Sequence, residues 1–141
     1  MNYLLDTNHW SYLQRRHPGL VSRLQSLPDD ATLFMPVVAQ AELLVGVELA
    51  AQGRRKRELR ALYERTLRET TDILEITSAV AEKFAAVVAQ LRQKGRSIET
   101  NDVWIAAIAL EADFILVTSD AGFQYVDGLK LEDWTGFERE S

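Results

Sequence analysis

Short apolar runs alternate with longer stretches of helical periodicity along the 141-residue chain, and this alternation limits the fold more than any other feature. The runs are NYLLD at the amino terminus, ATLFM (Ala31 to Met35), DILEI (72–76), FILVT (Phe114 to Thr118) and LKLEDW (129–134). Between the first two, residues from about Thr7 to Leu27 read as helical, with an interruption at His17-Pro18-Gly19. Pro36 is suited to open a helix over PVVAQAELLVGVELA. After Gly53, RRKRELRALYERTLRET places Leu59, Leu62, Tyr63, Thr66 and Leu67 on one stripe. Ser78 is the expected cap of the next helix, whose Val80, Phe84, Val87, Val88 and Leu91 share a face and which Gly95 ends. ETNDVWIAAIALEA is the last helical stretch. Strand alternating with helix predicts an α/β layered fold with a mainly parallel sheet. LKLEDW alternates between faces and suits an edge strand. No repeat, low-complexity tract or linker breaks the pattern, so one domain over 1–141 is expected.

Composition narrows the function classes. The 47% hydrophobic and 26% charged content is that of an ordinary globular protein. No apolar run reaches membrane-spanning length and no signal-peptide pattern is present, so a cytoplasmic protein without a membrane partner is expected. The chain has no cysteine, which excludes disulfides and thiolate metal sites. His9 and His17 are too few for a histidine-rich metal site. With 16 Lys and Arg against 21 Asp and Glu, the formal net charge of −5 argues against coating nucleic acid by bulk electrostatics, though not against a local grip.

Four acids stand where a structural account is weakest. Asp6 follows YLL and Asp120 follows ILVTS, each just past the carboxyl end of an apolar strand, where parallel sheets gather ligands. Glu42 shares a helical face with Val38, Val45, Gly46 and Leu49, and Asp102 with Ile105, Ala106 and Ala109. Taken singly, each has an ordinary reading: a helix cap, a helix-edge glutamate, a first-turn aspartate, a turn residue. Taken together, they are four carboxylates expected to point inward and to repel one another. A hard divalent cation, Mg²⁺ or Mn²⁺, is the consistent remedy for an oxygen-only site. Such a site supports phosphodiester hydrolysis by activated water, without a covalent nucleophile. No G-x-S-x-G elbow, P-loop or G-x-G-x-x-G is present.

The blocks LLDTN, AELLVG, TNDVWIAA and VTSDAGF resemble, in order, the four signature blocks of PIN-domain ribonucleases, and in particular VapC-type toxins of bacterial toxin–antitoxin pairs. The resemblance covers nearly the whole chain, and VDGLKLEDW resembles the closing strand of that group. It implies a PIN-like three-layer α/β fold, with a mainly parallel central sheet flanked by helices. It implies an acidic pocket binding Mg²⁺ or Mn²⁺ and endonuclease activity on RNA, with tRNA and rRNA as the substrate classes. It also implies a homodimer and a cognate antitoxin. Residue by residue, Asp6 matches the first-strand aspartate, Glu42 the helix glutamate, Asp102 the helix-start aspartate and Asp120 the final acid, a position that is often asparagine in the family. Thr7 and Asn8 match the polar pair after the first aspartate, and Thr118 and Ser119 the polar run before the last acid. Asp6, Glu42 and Asp102 are expected to form the principal metal site, Asp120 to orient a second ion or the attacking water, and the polar residues to support them. Products with a 5′-phosphate and a 3′-hydroxyl are expected.

An acidic pocket repels RNA, so basic residues are expected at its flanks. Arg15, Arg16, Arg54, Arg55 and Lys56 are the candidates, weighed against a solvated helix face laced with Glu58, Glu64 and Glu69. Trp10, Tyr12 and Trp104 read as packing residues rather than base platforms; His9, weighed against an approach to the pocket, reads as a surface helix residue, and Glu99, weighed against adding charge beside Asp102, as an exposed helix-entry residue. Competing readings are an RNA-processing nuclease of the same fold without an antitoxin, a non-catalytic PIN-like binding module, and a receiver or haloacid-dehalogenase-like phosphatase. The phosphatase pattern wants an aspartate where Asn8 stands.

Overall fold

All five apolar runs become strands of one sheet in the computed structural model, which describes residues 1–137. Residues 138–141 of the predicted domain lie outside the described residues. The strands are β1 (Asn2–Leu5), β2 (Thr32–Pro36), β3 (Asp72–Leu74), β4 (Ile115–Val117) and β5 (Leu131–Glu132). Their order is β3-β2-β1-β4-β5, and every neighbouring pair is parallel. The helices are α1 (Thr7–Gln14), α2 (Pro18–Ser26), α3 (Val37–Leu49), α4 (Arg54–Glu69), α5 (Ser78–Gln93) and α6 (Thr100–Ala112), with a short 3₁₀ helix at Ala121–Tyr125.

The period of two along β1 creates the layers. Leu4 packs on one face with Val87, Leu91, Ile105 and Leu116. Tyr3 and Leu5 pack on the other with Trp10, Leu20, Met35 and Trp134. Both faces of the central strand are therefore covered, as a parallel sheet requires. Trp10 is fully buried and Trp104 stacks on Phe84 with ring centroids 3.9 Å apart, so both act as packing residues.

Local boundaries differ from expectation where backbone chemistry decides them. Pro36 is the last residue of β2, paired with Leu74, and precedes α3 in an extended conformation (φ −68°, ψ 142°). Thr77, not Ser78, caps α5, its hydroxyl accepting the Val80 N–H at 3.2 Å. The break after α1 is made by Arg16 at φ 55° and by His17, whose Nδ1 accepts the Gly19 N–H.

The larger correction concerns α3. The face of Val38, Glu42, Val45, Gly46 and Leu49 was expected inward; Val38 is buried, but beyond it the face points out, with Val45 and Leu49 54% and 81% exposed. Val38, Ala39 and Val47 are the buried positions. Because α3 is apolar nearly all round, its pattern alone does not select the buried side.

Candidate active site

Strand order changes direction between β1 and β4, since the sheet grows outward through β2 and β3 on one side and β5 on the other. Ligand crevices in parallel sheets open at the carboxyl ends of the two strands flanking such a switch. Asp6 follows β1 and Asp120 lies three residues past β4, so the topology delivers both to one crevice. A cleft of about 620 Å³ opens there, lined by Asp6, Thr7, Asn8, Glu42, Ser97, Ile98, Glu99, Asp102, Ile105, Asp120 and Gly122. Five of these carry carboxylates and none carries a positive charge.

Asp6 forms the floor. It is only 5% exposed and is the N-cap of α1, its Oδ1 accepting the His9 N–H at 2.8 Å. Capping and lining the cleft are thus both roles of one side chain. The Thr118 hydroxyl donates to Asp6 Oδ2 at 2.6 Å and accepts the Asp120 N–H at 3.0 Å. One hydroxyl therefore joins the ends of β1 and β4.

The remaining acids stand on separate elements around the floor. Glu42 projects from α3, exposed, and accepts the Thr7 hydroxyl at 2.8 Å. Asp120 caps the 3₁₀ helix, its Oδ1 accepting the Gly122 N–H at 2.8 Å. A Cβ on Gly122 would lie 3.1 Å from Ile98 Cγ2 and 3.2 Å from that carboxylate oxygen, so glycine lets this turn close against the cleft wall. Asp102 is half-buried in the first turn of α6, where the helix dipole favours an anion. Burial first, and then Asp120, Glu99, Glu42 and Asp6 in that order, nevertheless together push its carboxyl up to about 6. The acids thus share one electrostatic field, although among the described residues no three acidic or histidine side chains already stand as a metal-ligand set.

The other candidate residues divide. Thr7 and Thr118 hold carboxylates, while Asn8 is exposed on the cleft wall. Ser119 is exposed and does not line the cleft. Arg55 lines an adjacent groove that shares Thr7 and Glu42 with the cleft. Arg15, Arg16, Arg54 and Lys56 line neither. Arg54 pairs with Glu58 at 2.8 Å and Arg16 with Glu69 at 3.5 Å, the solvated-face arrangement. Sequence reasoning underrated two residues. Glu99 is exposed as expected, but it lines the cleft one turn before Asp102, a spacing that was visible in the sequence. His9 is not on the surface: it is completely buried behind Asp6.

A wholly parallel α/β sheet with a carboxylate-lined cleft at its switch point defines the class of protein. The PIN domain family matches residues 3–129, and the chain belongs to that family. It is 32% identical over 138 residues to Ribonuclease VapC1 of Haemophilus influenzae, covering 96% of this chain and 99% of that protein. Its fold is similar to a chain in the crystal structure of VapBC2 from Rickettsia felis bound to a DNA fragment from their promoter, with a TM-score of 0.85, 27% identity and coverage of 95% and 99%. It is also similar to a chain of VapBC-5 from Mycobacterium tuberculosis, a member of the VapBC family of toxin–antitoxin systems, with a TM-score of 0.66, 29% identity and coverage of 94% and 96%.

Proposed function

We propose that this chain is the ribonuclease toxin of a toxin–antitoxin pair and cleaves RNA in the acidic cleft with Mg²⁺ or Mn²⁺. The relatives named ribonuclease VapC and the VapBC complexes support the class. The observation that carries the chemistry is a cleft with five carboxylates and no cationic side chain in its wall. That donor set fits a hard cation, and Mg²⁺ needs only one or two direct carboxylates because it keeps several waters. The open spacing of the acids is compatible with this. Asp6, Glu42 and Asp102 are assigned to hold the ion, with Asp120 completing the site. When bound, the ion supplies Lewis acidity to the phosphate and a lowered pKa to the attacking water.

The chain's own residues do the rest. Thr118 and the α1 backbone hold the Asp6 carboxylate in one orientation. Thr7 steadies Glu42. Asp120, at the head of the 3₁₀ turn, is assigned to orient a water. Arg55, in the adjoining groove, is the basic residue best placed to meet a phosphate of the flanking RNA.

A homodimer is proposed as well. Val45 and Leu49 leave an apolar strip of α3 exposed, and partner burial accounts for such a strip. Sedimentation of Leu49→Glu against wild type tests it: dissociation to monomer is expected, and an unchanged dimer would move the interface elsewhere. For the activity, purified protein is incubated with RNA and Mg²⁺, with and without EDTA. Cleavage that EDTA abolishes and Mg²⁺ restores is expected; cleavage indifferent to EDTA refutes the metal, and its absence under all divalent ions refutes the nuclease.

A further inference from the structure

His9 makes contacts that a helix-surface residue does not. Its imidazole is completely buried, and both ring nitrogens are engaged. Nε2 lies 3.3 Å from the backbone N–H of Trp134, and Nδ1 lies 3.2 Å from Asp6 Oδ1. A backbone N–H only donates, so Nε2 is the acceptor and carries no proton. The ring proton then resides on Nδ1 and is donated to Asp6. The Asp133 carboxylate, 3.6 Å from Nε2, is beyond hydrogen-bond reach, and its Oδ1 already accepts the Thr135 N–H and hydroxyl.

The far end of this chain of hydrogen bonds is firmly anchored. Trp134 is 1% exposed, its indole N–H donates to Glu132 Oε1 at 2.9 Å, and its ring meets Tyr3 edge-on at 5.3 Å. Gly19 admits the segment: a Cβ there would lie 2.5 Å from the Trp134 carbonyl oxygen and 2.7 Å from that of Thr135.

We propose that His9 is a positioning residue of the acidic cleft, a neutral imidazole that ties the Trp134 backbone to Asp6 Oδ1 and so fixes the Asp6 carboxylate for a divalent cation. The proposal rests on the assignment of Asp6 as a metal ligand. Its mechanism is hydrogen bonding behind the carboxylate: the imidazole and the His9 backbone N–H meet Asp6 Oδ1 while the Thr118 hydroxyl meets Oδ2. Partners of this kind orient ligand carboxylates, and their loss typically costs about 10- to 100-fold in metal affinity or activity.

Two readouts separate this inference from the metal assignment itself. Imidazole ¹³C and ¹⁵N shifts of the wild-type protein report the tautomer, and the proton is expected on Nδ1. A proton on Nε2 overturns the proposal whatever the metal does. Calorimetric Mn²⁺ titration then compares variants that still melt cooperatively. His9→Asn keeps a donor where Nδ1 stood but gives up the Trp134 contact, and is expected to weaken Mn²⁺ binding by only about threefold. His9→Gln carries its amide toward Trp134 instead and, like His9→Leu, is expected to lose about 10- to 100-fold. Equal Mn²⁺ affinity in the Asn and Gln variants overturns the positioning role. Wild-type protein that binds no Mn²⁺ overturns the metal assignment, and the proposal's metal consequence with it, while the tautomer still reports on the hydrogen-bond chain.

Discussion

Asp6 and Glu42 line the same cleft, yet Asp6 is buried and accepts three hydrogen bonds while Glu42 is exposed and accepts one. The floor of the cleft is built on a strand end, where neighbouring strands and the first turn of a helix supply donors from fixed positions. The rim is built on an outward helix face and a 3₁₀ turn, where Glu42 and Asp120 each keep a single hydrogen bond. A side chain so lightly held can change rotamer at little cost. On the proposed function this contrast would divide the work, with a preorganised floor and a rim left to adapt to ion, water and substrate.

Variants of the floor should break this division most severely. Asp6→Asn removes charge from the most constrained position, and RNA cleavage is expected to fall roughly 1000-fold or more in a single-turnover assay. Near-normal cleavage would mean that the preorganised acid is only a helix cap. On the rim, Glu42→Gln and Asp120→Asn should each lose about 10- to 100-fold, part of it recovered at high Mg²⁺. Losses matching Asp6→Asn, with no recovery, would erase the distinction between floor and rim.

Asp102 lies between these extremes and tests the electrostatics. Its carboxyl titrates near 6 rather than in the ordinary range, chiefly through burial and then through its acidic neighbours. Between about pH 4 and 6 the folded protein therefore holds a proton that the unfolded chain has released. Metal-free wild type should lose stability relative to Asp102→Asn as the pH rises through that window. With solvent screening of a half-buried group, the gap above pH 6 is expected to be about 1 kcal/mol, or ~3 °C in Tm, in favour of the variant. Thermal melts of the two in EDTA from pH 4 to 8 check it; a gap that does not open with pH would show that burial and the neighbouring acids do not raise the Asp102 carboxyl.

Much of the fold was legible because its determinants are local. Apolar runs of strand length separated by helical segments led to the parallel sheet, and the two acids at strand ends followed from where such sheets bind ligands. The face of α3 was misjudged because a helix of Val, Ala and Leu on nearly all sides carries no directional signal. His9 was misjudged because its burial depends on Trp134, which lies 125 residues away. No periodicity reports a pairing at that distance. Glu99 was discounted by exposure alone, though a cleft wall is itself exposed.

On the proposed function, carboxylates from four elements serve one divalent ion. Anomalous diffraction from crystals soaked in Mn²⁺ tests it most directly. A peak in the cleft, within about 2.5 Å of oxygens from Asp6 and at least one of Glu42 and Asp102, is the predicted result. A clean map with no peak in the cleft, or a peak held by other residues while Asp6 remains unligated, would contradict it.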